Sequence, residues 1–237
     1  MQETGTRINK YMSQCGYCSR READRLIEKG EVWINGTLAT MGTKGDTVMV
    51  HHTTITPCQK EYLLAFHKPA GIVCTTSKID KNNVIDYLNF PERIYPVGRL
   101  DKESTGLLLL TNNGQLMDDI LRGSNYHEKE YIVHVNKPIT DSVLQAMAQG
   151  VPILDTITRP CKIRRMGKDC FYITLTQGLN RQIRRMCEYF DYRVTSLKRI
   201  RIMNIELGSL PVGKWRELTP SEIKTLKNLA QNKGEAE

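Results

Sequence analysis

No stretch of the 237-residue chain holds an apolar run long enough to cross a membrane, and its first residues lack the pattern of an export signal. Neither a membrane partner nor secretion is expected. Seven cysteines, an odd number without such a signal, read as reduced thiols of a cytoplasmic protein. Cys15-x-x-Cys18 has no second pair, and His51 and His52 stand far off at the wrong spacing. Two half-buried thiols near a helix start are expected there, not zinc. Nothing resembles a phosphate loop, a dinucleotide fingerprint or a metal cage, so no cofactor and no metal is expected. There is no internal repeat.

What is present suits a soluble core. Hydrophobic residues make up 40%, and the mean hydropathy is −0.42. The length suggests one large domain, or a large and a small one. Net charge is +8, unevenly spread: between Arg159 and Arg201 twelve Lys/Arg face Asp169, Glu188 and Asp191, which is 12 − 3 = +9 and leaves about −1 elsewhere. A concentrated basic stretch suits a polyanion, most simply nucleic acid; a solvated basic surface is the plainer reading.

The front of the chain reads as a small α+β unit. Ile8, Tyr11 and Met12 have helical spacing, and Gly16 can end that helix. Ser19-Arg20-Arg21-Glu22 is a capping box, with Ser19 as cap and Glu22 reaching back. Ala23, Leu26 and Ile27 form the buried face of the second helix, closed by Gly30. Val32-Trp33-Ile34 then Asn35-Gly36 reads as strand and tight turn. Gly45-Asp46 precedes a strand from Thr47 to Val50, and residues 53–61, with Pro57, read as a linker.

A second domain follows. Tyr62–Phe66 reads as a strand, His67-Lys68-Pro69-Ala70-Gly71 as a turn, and Ile72–Thr76 as its partner strand. Lys129, Tyr131, Val133 and Val135 alternate onto one face of a strand. Ile139–Gln149 reads as a helix started at Thr140 or Asp141 and ended at Gly150. Ile157–Arg165 and Cys170–Thr176 read as paired strands. Asn180 is a good N-cap for a helix whose apolar stripe is Ile183, Met186, Cys187 and Phe190. Arg181, Arg184 and Arg185 share its other side. Pro220 opens a last helix with Ile223, Leu226 and Leu229 inward.

The centre is Tyr95–Gly114. Arg99–Ser104 holds four charges and a hydroxyl, flanked by Gly98 and Gly106, and Leu107–Leu110 follows as an unbroken apolar run. A run so short, ended by Thr111-Asn112-Asn113-Gly114, fits a buried strand. A charged loop held at the mouth of a core strand is a common place for a reactive carboxylate; the plainer reading makes Asp101 a turn residue.

Gly98-Arg99-Leu100-Asp101 with Thr105-Gly106-Leu107-Leu108 resembles the catalytic motif of pseudouridine synthases, in the form of the RsuA/RluB/RluE/RluF group that acts on ribosomal RNA. Lys68-Pro69-x-Gly71 is similar to that family's first motif, with a structural role for Lys68. Gln182-Ile183-Arg184 is similar to the third. The front unit resembles the alpha-L RNA-binding motif of ribosomal small-subunit protein four. The resemblance implies an α+β protein: an RNA-binding domain at 1–56, and at 57–237 a catalytic domain with a mixed, mostly antiparallel sheet and a central cleft. It implies catalytic roles for Asp101, for Tyr131 against the target base, and for Arg184 paired with the carboxylate. It places RNA contact on Arg7, Lys10, Ser19, Arg20, Arg21, Arg25 and Arg99, with Arg181 and Arg185 facing RNA or structure.

The implied reaction breaks the bond from ribose C1′ to uracil N1, turns the base and joins C1′ to C5, with no exchange of electrons or atoms with a cofactor. The base must leave its stack to be reached. Asp101 would attack or stabilise C1′, or shuttle a proton. The implied substrate is ribosomal RNA, 23S of the large subunit, with a transfer RNA as a second candidate, and the expected state is a monomer. The rival is a non-catalytic RNA-binding or ribosome-assembly protein, which accounts for the basic stretch but not for Asp101, Tyr131 and Arg184 all standing within motifs.

Overall fold

Ser19 Oγ accepts the Glu22 backbone N–H at 3.1 Å and so starts the second helix of the chain. The computed structural model in which it lies describes residues 6–40, 48–56, 60–77, 79–122 and 126–231. Two compact units divide the chain, the first containing Met1–Glu61 and the second beginning at Tyr62.

In the first unit, helices α1 (Ile8–Gln14) and α2 (Arg20–Glu28) precede strands β1 (Val32–Ile34), β2 (Thr37–Leu38), β3 (Val48–Val50) and β4 (Thr53–Ile55). The sheet order is β2-β1-β3-β4. Ile8, Met12, Ala23 and Ile27 meet Val32, Ile34, Val48 and Val50 in one small core. Asn35 and Gly36 both take positive φ, 49° and 80°, as the two-residue hairpin from β1 to β2 requires. Glu22 does not reach back: its carboxylate takes Arg25 Nη1 at 3.1 Å, a neighbour one turn on. The expected linker begins too early, because Thr53–Ile55 pairs with β3. The expected strand start at Gly45-Asp46-Thr47, and Pro57-Cys58-Gln59 of the linker, lie outside the described residues.

The second unit runs β5 (Leu63–Lys68), α3 (Val84–Leu88), β6 (Tyr95–Val97), β7 (Thr105–Thr111), α4 (Gly114–Leu121), β8 (Lys129–Val135), α5 (Asp141–Gln149), β9 (Pro152–Ile153), β10 (Thr156–Ile157), β11 (Lys162–Arg165), β12 (Cys170–Leu175), α6 (Gln182–Tyr189), β13 (Val194–Ile202), β14 (Ile205–Glu206), β15 (Trp215–Glu217) and α7 (Pro220–Gln231). The long sheet has the order β11-β12-β8-β13-β7-β5-β15. Its pairs are antiparallel except β7 with β13. This is the mixed, mostly antiparallel sheet the resemblance implied.

Leu107–Leu110 is unbroken because β7 is covered on both faces. Leu107 and Leu109 enter a core with Leu116, Ile120 and Leu226. Leu108 and Leu110 enter another with Val84, Leu88 and Ile94. A third core sets α5 and α6 against β8, β12 and β13.

Several local expectations yield to tertiary structure. Ile72–Thr76 forms no strand; Val73 makes only an isolated bridge with Asn83, while β5 extends through His67 and Lys68. Thr156–Ile157 folds back on β9 instead of extending β11. Asn180 is not the cap of α6. Arg181 holds that position in the left-handed region, φ 50°, and Gln182 Oε1 takes the Leu179 N–H at 3.1 Å. Leu229 is exposed and Ala230 buried, which moves the inner face of α7 by one residue. The basic stretch is partly spent inside the fold: Arg201 pairs with Glu128 and Glu130, both at 2.9 Å, and Arg165 with Asp141.

Candidate active site

The loop from Gly98 to Ser104 enters β7 at the centre of the sheet, where that strand pairs in parallel with β13. Parallel pairing brings Gly106 opposite Arg199, and Gly106 takes φ +108° with the Arg199 backbone packed where a side chain would sit. Only glycine fits there.

The loop is tied down from below. Ser104 N–H donates to the Asp101 carbonyl at 3.0 Å, closing a turn, and Gly71 N–H donates to the Lys102 carbonyl at 2.7 Å. Lys68, fully buried, donates from Nζ to the carbonyls of Pro69 at 2.8 Å, Ser104 at 2.9 Å and Lys102 at 3.3 Å. Burial pushes this ammonium below the ordinary lysine range. The sequence places Lys68 in a turn; its strand position is what points it under the Asp101 loop.

Asp101 presents Oδ2 to Arg184 Nε at 3.4 Å, with Arg181 Nη1 further off at 4.0 Å. Arg181 is nearer Glu103, at 3.6 Å; a backbone hydrogen bond, with Arg181 adding its charge, holds the Glu103 carboxyl below the usual range. Arg184 is itself anchored: Nη2 donates to Ser104 Oγ at 3.2 Å and Nη1 to the Val194 carbonyl at 3.4 Å. Its Nε is buried and makes no aligned hydrogen bond, so the contact with Asp101 is one of charge, open to tightening around a substrate. Arg185 instead caps the loop, donating to the carbonyl and side-chain oxygens of Asn180.

Tyr131 is half-buried on β8, in register with Arg199 of β13 and Ile173 of β12. Asp101, Tyr131, Arg99 and Arg181 line one cleft of about 400 Å³. The structure therefore brings together Asp101, Tyr131 and, against the carboxylate, Arg184. Arg7, Lys10, Ser19, Arg20, Arg21 and Arg25 lie in the other unit, on or beside α1 and α2. Arg7, Arg20, Arg21 and Arg25 are exposed there, Lys10 is half-buried, and the Ser19 hydroxyl is engaged as the helix cap.

Sequence reasoning passed over Ser104, His127, Lys129, Gln177 and Arg199, all of which line the cleft. The signal for two of them was present: Lys129 shares the strand face of Tyr131, and Arg199 takes that face once β8 and β13 are in register. Burial, with the Arg199 charge second, pushes Lys129 down to about 8. At the front of the chain, burial raises the Cys15 thiol and pushes Cys18 up to about 11, which keeps both protonated at neutral pH.

Residues 62–189 match the family described as RNA pseudouridylate synthase, and residues 6–44 match the S4 domain. The dual-specificity RNA pseudouridine synthase RluF of Salmonella typhi is 52% identical over 234 residues, covering 97% of this chain and 81% of that protein. Its counterpart in Escherichia coli strain K12 is 50% identical over 235 residues, with the same coverage. Ribosomal large subunit pseudouridine synthase B of Bacillus subtilis is 34% identical over 239 residues, 95% of this chain and 97% of that one. A crystal structure of a pseudouridylate synthase superposes with a TM-score of 0.69 at 27% identity, covering 93% of this chain and 99% of its own.

Proposed function

The chain belongs to the RNA pseudouridylate synthase family and isomerises uridine to pseudouridine at a specific place in ribosomal RNA; we propose that the RNA is 23S, of the large subunit, and that Asp101 carries the chemistry. The RluF likeness extends to His127-Glu128-Lys129-Glu130-Tyr131, Gly178–Cys187 and Arg201-Ile202-Met203-Asn204. Those relatives are named for dual specificity, and a transfer RNA is the proposed second substrate.

One observation carries the assignment of roles: a carboxylate, Asp101, faces an anchored guanidinium, Arg184, at the edge of a cleft that Tyr131 lines. The carboxylate is poised to act at C1′ as the N1 bond breaks, and the guanidinium keeps it charged and aimed. Tyr131 offers an aromatic face to the extruded base and a hydroxyl at its edge. The exposed arginines of the first unit, with Arg99 and Arg181 near the cleft, supply phosphate contacts, which hold RNA without reading it.

The test is release of tritium from C5 of uridine, in chelator and without added cofactor. Labelled 23S rRNA, 16S rRNA and bulk transfer RNA are the substrates, followed by mapping of the new pseudouridine. Release from 23S rRNA at one position is the expected result. Release from 16S alone overturns the choice of subunit, and no release from any of them overturns the assignment of chemistry to this cleft.

A further inference from the structure

Among the described residues five buried side-chain atoms have no hydrogen-bond partner: His127 Nε2, Gln177 Nε2, Arg184 Nε, Arg199 Nη2 and Asn204 Oδ1. Those of His127, Gln177 and Arg199 belong to residues lining the one cleft that holds Asp101. His127 donates from Nδ1 to the Ile120 carbonyl at 3.0 Å, so Nε2 of that tautomer is an acceptor. Gln177 Nε2 and Arg199 Nη2 are donors, and since a buried donor left unmade is costly, the two mark a place completed by a ligand that carries acceptors.

Arg199 is the most demanding. It is 2% exposed, and among the described residues no carboxylate lies within ion-pair distance of it. Its Nε donates to the Leu107 carbonyl at 2.7 Å, which fixes the guanidinium plane and leaves Nη2 unused. A register shift between Arg199 and Arg201 breaks the regular ladder beside it. In register with Tyr131, its Cζ lies 6.0 Å from the tyrosine ring centroid. The guanidinium and the tyrosine ring line the same cleft.

We propose that Arg199 holds the target uracil by a carbonyl oxygen throughout the reaction, O2 before the base turns and O4 after it. This rests on the reading that the cleft isomerises uridine. Breaking C1′–N1 leaves the bonding pair on the uracil, whose negative charge is shared by O2 and O4. A half-turn about the N3–C6 axis exchanges N1 with C5 and, at the same stroke, O2 with O4. A fixed donor therefore meets a carbonyl oxygen in both orientations and can hold the free base while it turns. The pair returns as the C5–C1′ bond, the C5 proton passes to water and N1 takes one up, so atoms and electrons balance. A preorganised cation beside the developing charge acts as an oxyanion donor does.

The experiment uses the full-length protein and RNA with the target uridine replaced by 2-thiouridine or 4-thiouridine, since sulfur is a poorer acceptor than oxygen. Single-turnover rates at saturating RNA are measured for wild type, Arg199→Gln and Arg199→Lys. Both thio substrates should slow the wild type. Arg199→Gln should be about a hundredfold slower on uridine, the scale for one oxyanion donor. It should show little further penalty from either sulfur, because the contact is already gone. Arg199→Lys should fall between. RNA affinity should hold.

Equal fractional losses from sulfur in wild type and variants would overturn the proposal. So would a fall in RNA affinity with the thio penalty retained, which points to a phosphate as the partner of Nη2. Should neither variant fold, the wild type alone decides: no penalty from either sulfur removes the contact. Failure of the wild type on unmodified RNA would strike the proposed function instead.

Discussion

The Lys68 ammonium donates to the Ser104 carbonyl at 2.9 Å from a position with no exposed surface. The same nitrogen reaches Lys102 at 3.3 Å, so one buried cation gathers the residues that follow Asp101. We expect Lys68→Met to slow turnover about a hundredfold, the scale of a small misplacement of a reacting group. RNA affinity should change little. Single-turnover rate and filter binding, measured together, check it. Wild-type turnover would mean the loop holds its shape without the lysine.

Asp101→Asn keeps size and hydrogen-bonding reach but removes the charge. Tritium release should vanish while RNA binding persists, since phosphate contacts dominate affinity. Full release by this variant would end the mechanism proposed for the cleft.

Arg184→Lys keeps the charge but cannot serve Asp101, Ser104 and Val194 at once, as the guanidinium does. Activity should fall by about two orders of magnitude, as for the loss of one preorganised electrostatic contact. The steady-state rate at saturating RNA is the measurement, and a near-normal value would point to Arg181, 4.0 Å from Asp101, as the working partner.

Gly106→Ala should destabilise the protein by about 2 kcal/mol or more, from the left-handed φ and from the Arg199 backbone that the new Cβ meets. Denaturant unfolding reads this directly. The effect should exceed that of Gly114→Ala, where nothing lies within 4 Å.

Lys129 gives a pH signature. Its folded value of about 8 lies below the ordinary 10.5, so the folded state gives up the proton first. The cost of burying the charge is therefore fully present below pH 8, shrinks between 8 and 10.5, and is absent above. Lys129→Met should be more stable than wild type at pH 7, with the gap closing as pH rises through that window. A gap independent of pH would assign the difference to packing.

The sequence alone determined what short-range rules decide. Ser19 caps α2, Asn35-Gly36 turns a hairpin, Thr140 or Asp141 starts α5, and Leu107–Leu110 is a buried strand. Each depends on hydrogen bonds or alternation within a few residues. Motif resemblance added Asp101, Tyr131 and Arg184, though it could not say that Arg184 Nε meets the carboxylate at 3.4 Å while Arg185 turns to Asn180. Tertiary structure decided the rest. Arg201 looks like part of an RNA-facing stretch in sequence, and it is held by two glutamates on a neighbouring strand. Lys68 looks like a turn residue, and it is the buried tie of a loop more than thirty positions on. Arg199 reaches the cleft only because β13 pairs with β8 on one side and, in parallel, with β7 on the other. The partners of these charges lie tens of residues away along the chain. Sheet register sets them side by side, and no local pattern encodes that register.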